Sequence, residues 1–185
     1  MVVSDLVHRA VHVLMDIFPK PPRPLGDSGH LLAPQGLAVD ATSCFLVTDY
    51  RPGAVHSFTS VPTLELLASA SMLRLEGPCW VGLGPDGGFA VSEEFGVVRK
   101  FLPPLGFPGG LPGPAFGSPA CVCTDSEGNV IVTDKQQCQL PLLPWAAAPT
   151  CLVLKGLGRP LGMACAPQGQ LMVADARGSY IKRYR

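Results

Sequence analysis

Charge is scarce in this 185-residue chain: Asp, Glu, Lys and Arg make up 15% of it, and acidic and basic residues balance to a formal net charge of zero. Binding nucleic acid through phosphates needs Lys and Arg gathered on one surface. Here they are scattered, apart from Arg99 with Lys100 and the group Lys182, Arg183 and Arg185, so a broad nucleic-acid footprint is not supported. Histidine is scarcer still, at four, and none of the seven cysteines forms a C-x-x-C pair; a RING or zinc-finger framework needs both in ordered spacing. An odd number of cysteines at unrelated positions is no disulfide framework, which points to a reducing compartment. Long apolar runs are missing as well. The first 18 residues are apolar but interrupted by Asp5, His8, Arg9 and Asp16, with no small-residue cleavage site after them. The expectation is no signal peptide and no membrane span, and a cytoplasmic or nuclear rather than secreted protein. Also missing are a G-x-S-x-G elbow, a phosphate-cradling loop and a nucleophile beside a base, so the expectation is no catalytic residue, no cofactor and no enzyme.

What the chain does have is repetition. The segment VSD ending at Asp5 returns as VTD at Asp49, VSE at Glu93, VTD at Asp134 and VAD at Asp175, at steps of 44, 44, 41 and 41 residues. Pro34, Pro78, Pro119 and Pro160 keep time with it, each 15 residues before its acid. A period of about 40–45 residues belongs to solenoids and propellers.

Aligned on the proline, each unit is an apolar run, a polar turn and a second apolar run. The turns at Gly84–Gly88, Asp125–Asn129 and Ala166–Gln170 carry Gly, Asp and Asn, a β-hairpin signature. Valine stands two places before every acid, at Val3, Val47, Val91, Val132 and Val173. With apolar residues on both sides of the alternation, these strands are expected to be buried on both faces. A third run follows the acid, ending nine places on at Leu14, Phe58, Leu143 and Tyr184, and a fourth is readable at Leu64–Ser69 and Cys151–Gly156. Four antiparallel strands per unit make a propeller blade. The proline-rich stretches at 19–24, 103–114 and 141–149 read as connections between blades.

The segments PQGLAVD and FLVTD, DLVHRAVHVL from Asp5, and ADARGSYIKRY from Ala174 resemble the NHL-repeat family of β-propellers over nearly the whole chain. That resemblance implies an all-β propeller as one domain, 1–185: a partial blade at 1–33, repeats at 34–77, 78–118 and 119–159, and a partial blade at 160–185. Family relatives usually close at six blades, and six copies would need about 250 residues at this period. An incomplete or open ring of about four to five blades is therefore expected, with exposed strand edges that invite self-association.

The repeated acids, three of them Asp49, Asp134 and Asp175, are read as structural carboxylates that accept backbone N–H bonds at a strand end. Cys121 and Cys123, with Cys165 or His56, could be imagined as a metal site, but buried thiols fit the spacing better; no metal is expected. His8 and His12 fall on a loop and a strand and are not read as a catalytic pair. The loops after the second strands should present Tyr50, Arg51, Glu94, Phe95, Lys135, Gln136 and Arg177, with His8, as a mixed-charge aromatic surface suited to a protein or peptide partner. The resemblance implies kinship with NHL-type ubiquitin ligases, hence substrate recognition for proteasome-mediated degradation without a RING of its own. Single-stranded RNA binding is the alternative, and a metal-dependent propeller enzyme stands behind both.

Overall fold

Pro34, Pro119 and Pro160 stand directly opposite Asp49, Asp134 and Asp175 across antiparallel strand pairs, which is the physical reason for the fixed step from proline to acid. The computed structural model describes residues 2–13, 23–24, 31–39, 44–58, 66–69, 75–84, 87–102, 107–109, 116–144, 148–152, 156–166 and 168–184. Leu14, Leu64 and most of the proline-rich connections lie outside them.

Among the described residues there are five antiparallel sheets. The first holds β1 (Val2–Asp5), β2 (Ala10–Val13) and β3 (Arg23–Pro24); the second holds β4 (Pro34–Val39), β5 (Phe45–Asp49), β6 (Ala54–Phe58) and β7 (Leu66–Ser69). The third holds β8 (Pro78–Leu83), β9 (Phe89–Glu93), β10 (Val98–Leu102) and β11 (Phe107–Gly109). The fourth holds β12 (Pro119–Thr124), β13 (Val130–Asp134), β14 (Leu140–Leu143) and β15 (Thr150–Leu152), and the fifth β16 (Pro160–Cys165), β17 (Leu171–Asp175) and β18 (Tyr180–Tyr184). In every sheet the strands neighbour one another in chain order, as expected for meander blades. The register shifts just after the proline in β4, β12 and β16; proline has no N–H for the ladder, and a bulge there absorbs the missing bond.

The three hairpin turns are those read from the sequence. The N–H of Gly84, Asp125 and Ala166 donates to the carbonyl of Gly88, Asn129 and Gln170 respectively (2.7, 3.1 and 2.8 Å). Gly87, Gly128 and Gly169 each supply the positive φ near the end of the turn.

The chain divides into two compact units, residues 1–79 and 80–185, each with its own core. In the first, Val11, Leu31, Phe45, Val47 and Phe58 pack together, with Leu37 against them. In the second, Val122, Val130 and Val132 pack with Ala90, Val98, Phe116 and Leu143, and Ile131 and Leu140 pack with Leu171 and Val173. The repeated valines Val47, Val91, Val132 and Val173 are fully buried, each contributing about 1.5–3 kcal/mol of hydrophobic stabilisation. Val3 departs from the rule and is 41% exposed. β9 and β13 are buried at every position, so the two-sided burial expected of the second strand holds there.

The residue before the acid adds a second repeated bond. Ser4 Oγ donates to the Gln35 carbonyl (2.8 Å), Thr48 Oγ1 to Cys79 (3.0 Å) and Ser92 Oγ to Ala120 (3.2 Å). Each hydroxyl thus reaches from a second strand to the first strand of the following sheet. No described helix is long and apolar enough to cross a membrane.

Candidate functional site: the loops after the second strands

Each second strand ends on an acid, and the turn after it carries a residue with positive φ: Arg9 (53°), Gly53 (66°), Gly96 (84°), Cys138 (52°) and Ser179 (53°). Left-handed backbone costs a non-glycine residue about 1–2 kcal/mol. Its recurrence at three non-glycine positions means the surrounding bonds impose it.

Those bonds converge on the acid. Asp134 Oδ1 accepts the N–H of Gln136 and Gln137 (2.9 Å each) and of Ser118 (3.3 Å), while Oδ2 accepts that of Gly117 (2.7 Å). Asp175 repeats the set with Arg177, Gly178, Arg159 and Gly158. The Gly158 N–H foremost holds its carboxyl below the usual range against the opposing effect of burial. Asp49 takes the N–H of Ala33 and Leu32 (2.6 and 2.7 Å), with His56 Nε2 3.6 Å away. Burial pushes Asp49 up, but His56 and the two N–H groups outweigh it and keep the carboxyl low. Glu93, fully buried, instead accepts from Arg99 Nε. The structural reading of these acids holds: each of the three aspartates ties the end of its second strand to the entry of its first.

The loops so held carry the residues expected to face a partner. Gln136 lies over Gly117 and Arg177 over Gly158, where an added Cβ would come within 2.7 Å of Gln136 Oε1 and of Arg177 Cδ. Phe95 stands 74% exposed on the β9–β10 turn beside Glu94, and Lys135 donates its N–H to Ser118 (3.0 Å). In the first unit Tyr50 and Arg51 line a cavity of about 380 Å³ with Leu6, Val7, Leu32 and Arg9 among its walls. Leu6, Val7 and Leu32 are exposed apolar side chains, and the two guanidinium groups supply the positive charge. Arg9, whose backbone has positive φ, also lines this wall and was not among the candidate interaction residues read from the sequence.

Of the imagined thiol site, Cys123 Sγ lies 3.2 Å from Cys165 Sγ, while Cys121 Sγ is directed to the Met163 carbonyl (3.5 Å) and His56 sits beside Asp49. Burial pushes the Cys121 thiol up to about 11. The hydrogen bond to Cys165, then burial, pushes Cys123 up, and the same bond lowers Cys165. A different group does come together. Asp5, His8 and His12 bring one ligand atom each within 4.8 Å of one another. The Asp5 carboxyl is lowered to about 2, first by the His8 N–H and then by the His8 imidazole.

Over 127 residues the chain is 62% identical to NHL-repeat-containing protein 4 of Mus musculus, an alignment covering 67% of this chain and 93% of that protein. It is 30% identical over 141 residues to the E3 ubiquitin-protein ligase TRIM32 of Homo sapiens, covering 75% of this chain and 19% of the ligase. A virginiamycin B lyase from Staphylococcus aureus superposes with a TM-score of 0.74 at 11% identity, over 97% of this chain and 64% of that one. The WD40 β-propeller domain of Doa1 superposes with a TM-score of 0.68 at 9% identity, over 96% of this chain and 57% of that one. The chain thus spans about two thirds or less of the solved propellers it matches, and at such identities the likeness is one of fold alone. No protein-family model matches the chain.

Proposed function

Because the chain belongs to the NHL-repeat family of β-propellers, we propose that it is a non-enzymatic interaction module whose loops after the second strands hold a peptide segment of a partner protein. The cavity bounded by Arg9, Arg51 and Tyr50 over Leu6, Val7 and Leu32 carries this reading. An apolar side chain of the partner fits the floor and an adjacent carboxylate fits the two arginines, the combination of buried anchor and charged rim that dominates interface energetics. The reading is of a module without chemistry of its own because Asp49, Asp134 and Asp175 are committed to backbone N–H groups and its buried Cys121 is a poor nucleophile, thiolate being the reactive form. Kinship with TRIM32 extends the proposal to recognition of clients for ubiquitin-dependent degradation in the cytoplasm, with the ligase activity supplied by another chain.

The test is affinity capture from cell extract with the wild-type chain and with Arg9→Asn/Arg51→Ala, each with and without ribonuclease. Asparagine is chosen because it accepts positive φ. Capture of proteins, ubiquitin-pathway components among them, that resists ribonuclease and falls about 5- to 100-fold in the variant is expected. Capture that needs RNA, or that the folded variant retains in full, overturns the reading.

A further inference from the structure

We propose that Asp5, His8 and His12 form a zinc site on the β1–β2 turn, independent of the peptide-binding reading. Asp5 divides its carboxylate between two tasks. Its Oδ1 accepts the N–H of Val7 and His8 (2.9 and 3.0 Å), closing the turn as Asp134 and Asp175 do. In those repeats Oδ2 is taken by a backbone N–H at the entry of the first strand, from Leu32, Gly117 and Gly158. At Asp5 the same oxygen faces two imidazoles instead: His8 Nδ1 at 2.6 Å and His12 Nε2 at 3.5 Å. The rings stand nearly perpendicular, 84° apart, with centroids 6.4 Å from each other, and each turns one ring nitrogen to the carboxylate.

Two imidazole nitrogens and one carboxylate oxygen are a ligand set that zinc takes, with a fourth position left for water or a ligand. Bonds of about 2.0–2.2 Å in a tetrahedron put ligand atoms about 3.3 Å apart. The Asp5–His12 pair at 3.5 Å already meets that spacing, the Asp5–His8 pair at 2.6 Å must open by less than 1 Å, and the two imidazole nitrogens lie within 4.8 Å of each other. His8 is free to make this adjustment, since its side chain is 74% exposed, whereas His12 is held on β2 with its side chain 22% exposed. One mobile and two anchored ligands fit a site that closes on the ion as it binds. Its weakness is also visible: His12 Nδ1 is buried without a partner, while ligating imidazoles ordinarily donate that N–H. Loss of such support lowers metal affinity about 10- to 100-fold, so micromolar rather than nanomolar binding follows.

The experiment titrates the full chain with Zn2+ by calorimetry and with Co2+ by visible absorption, in a phosphine reductant, beside His8→Ala and His12→Gln. Saturable one-to-one binding, cobalt d–d bands without a thiolate charge-transfer band, and at least a 10-fold loss in His8→Ala are expected. Because His8 is exposed, that variant keeps the wild-type far-UV spectrum and carries the test even if His12→Gln misfolds. A thiolate band, which would move the metal to Cys123 and Cys165, overturns the proposal. So does unchanged affinity in His8→Ala, or no saturable binding below about 1 mM.

Discussion

Lys100 is the residue at which proton binding and folding most directly oppose each other. Its side chain is 2% exposed, and Nζ donates to the Leu143 and Pro144 carbonyls (2.8 and 3.0 Å). Burial lowers its pKa from the ordinary 10.5 to about 8. Below pH 8 both folded and unfolded chains carry the proton and the cost of burying the charge is fully present. Between pH 8 and 10.5 the unfolded chain binds the proton and the folded one does not, so stability rises with pH across that window. Chemical denaturation at pH 7.5, 9 and 10.5 is expected to show the rise in the wild type and its loss in Lys100→Met. Equal slopes in the two would mean that Lys100 titrates as an exposed lysine. None of this was legible beforehand. In sequence Lys100 is the second half of an Arg99–Lys100 pair and reads as exposed charge; only the register of β10 turns one side chain outward and the other in.

At the scale of the element, the turn after each second strand is the recurring device, and its acid was recognisable as a backbone cap from position alone. The proline-to-acid register, the hairpin turns and the buried valines were legible for the same reason: each depends on bonds within one hairpin. The positive φ was not, because Arg9, Cys138 and Ser179 carry none of the glycine that advertises it. That omission also hid Arg9 from the cavity and His8 from His12, since a reversal at Arg9 folds residues five, eight and twelve back on one another. Ser179 is exposed, and Gly there removes the Cβ penalty, so Ser179→Gly is expected to stabilise the chain by about 0.5–1 kcal/mol. Gly53→Ala works in the opposite sense, because at φ 66° its Cβ would collide with the Leu75 carbonyl. Urea midpoints of the two variants on either side of the wild type would bear this out, and a destabilised Ser179→Gly would contradict it.

For the whole molecule, the two compact units make stability partly divisible. Asp49 ties residues 32–33 in the first unit, and Asp134 ties residues 117–118 and 136–137 in the second, with no shared partner. Replacing either by Ala strips buried N–H groups of a charged acceptor, at about 2–4 kcal/mol each. In a double-mutant cycle measured by equilibrium unfolding the two losses are expected to add to within about 0.5 kcal/mol. A coupling well above that would show that the units share their stability.

The hydroxyls of Ser4, Thr48 and Ser92 lead to a further consequence. Each spends its hydrogen on a carbonyl of the next sheet's opening strand, so these polar links between repeats are made by short side chains, while the ladders within each repeat are main chain. A repeat array of this kind obeys nearest-neighbour statistics: fraying of one repeat is felt by the next through that hydroxyl as well as through the apolar side chains that neighbouring sheets pack together. At the fourth repeat Thr133 Oγ1 turns back on its own sheet, accepting the Cys121 N–H (2.7 Å) and facing the Cys121 carbonyl (3.4 Å), and at the fifth Ala174 has no hydroxyl, so among the described residues the last such relay runs from Ser92.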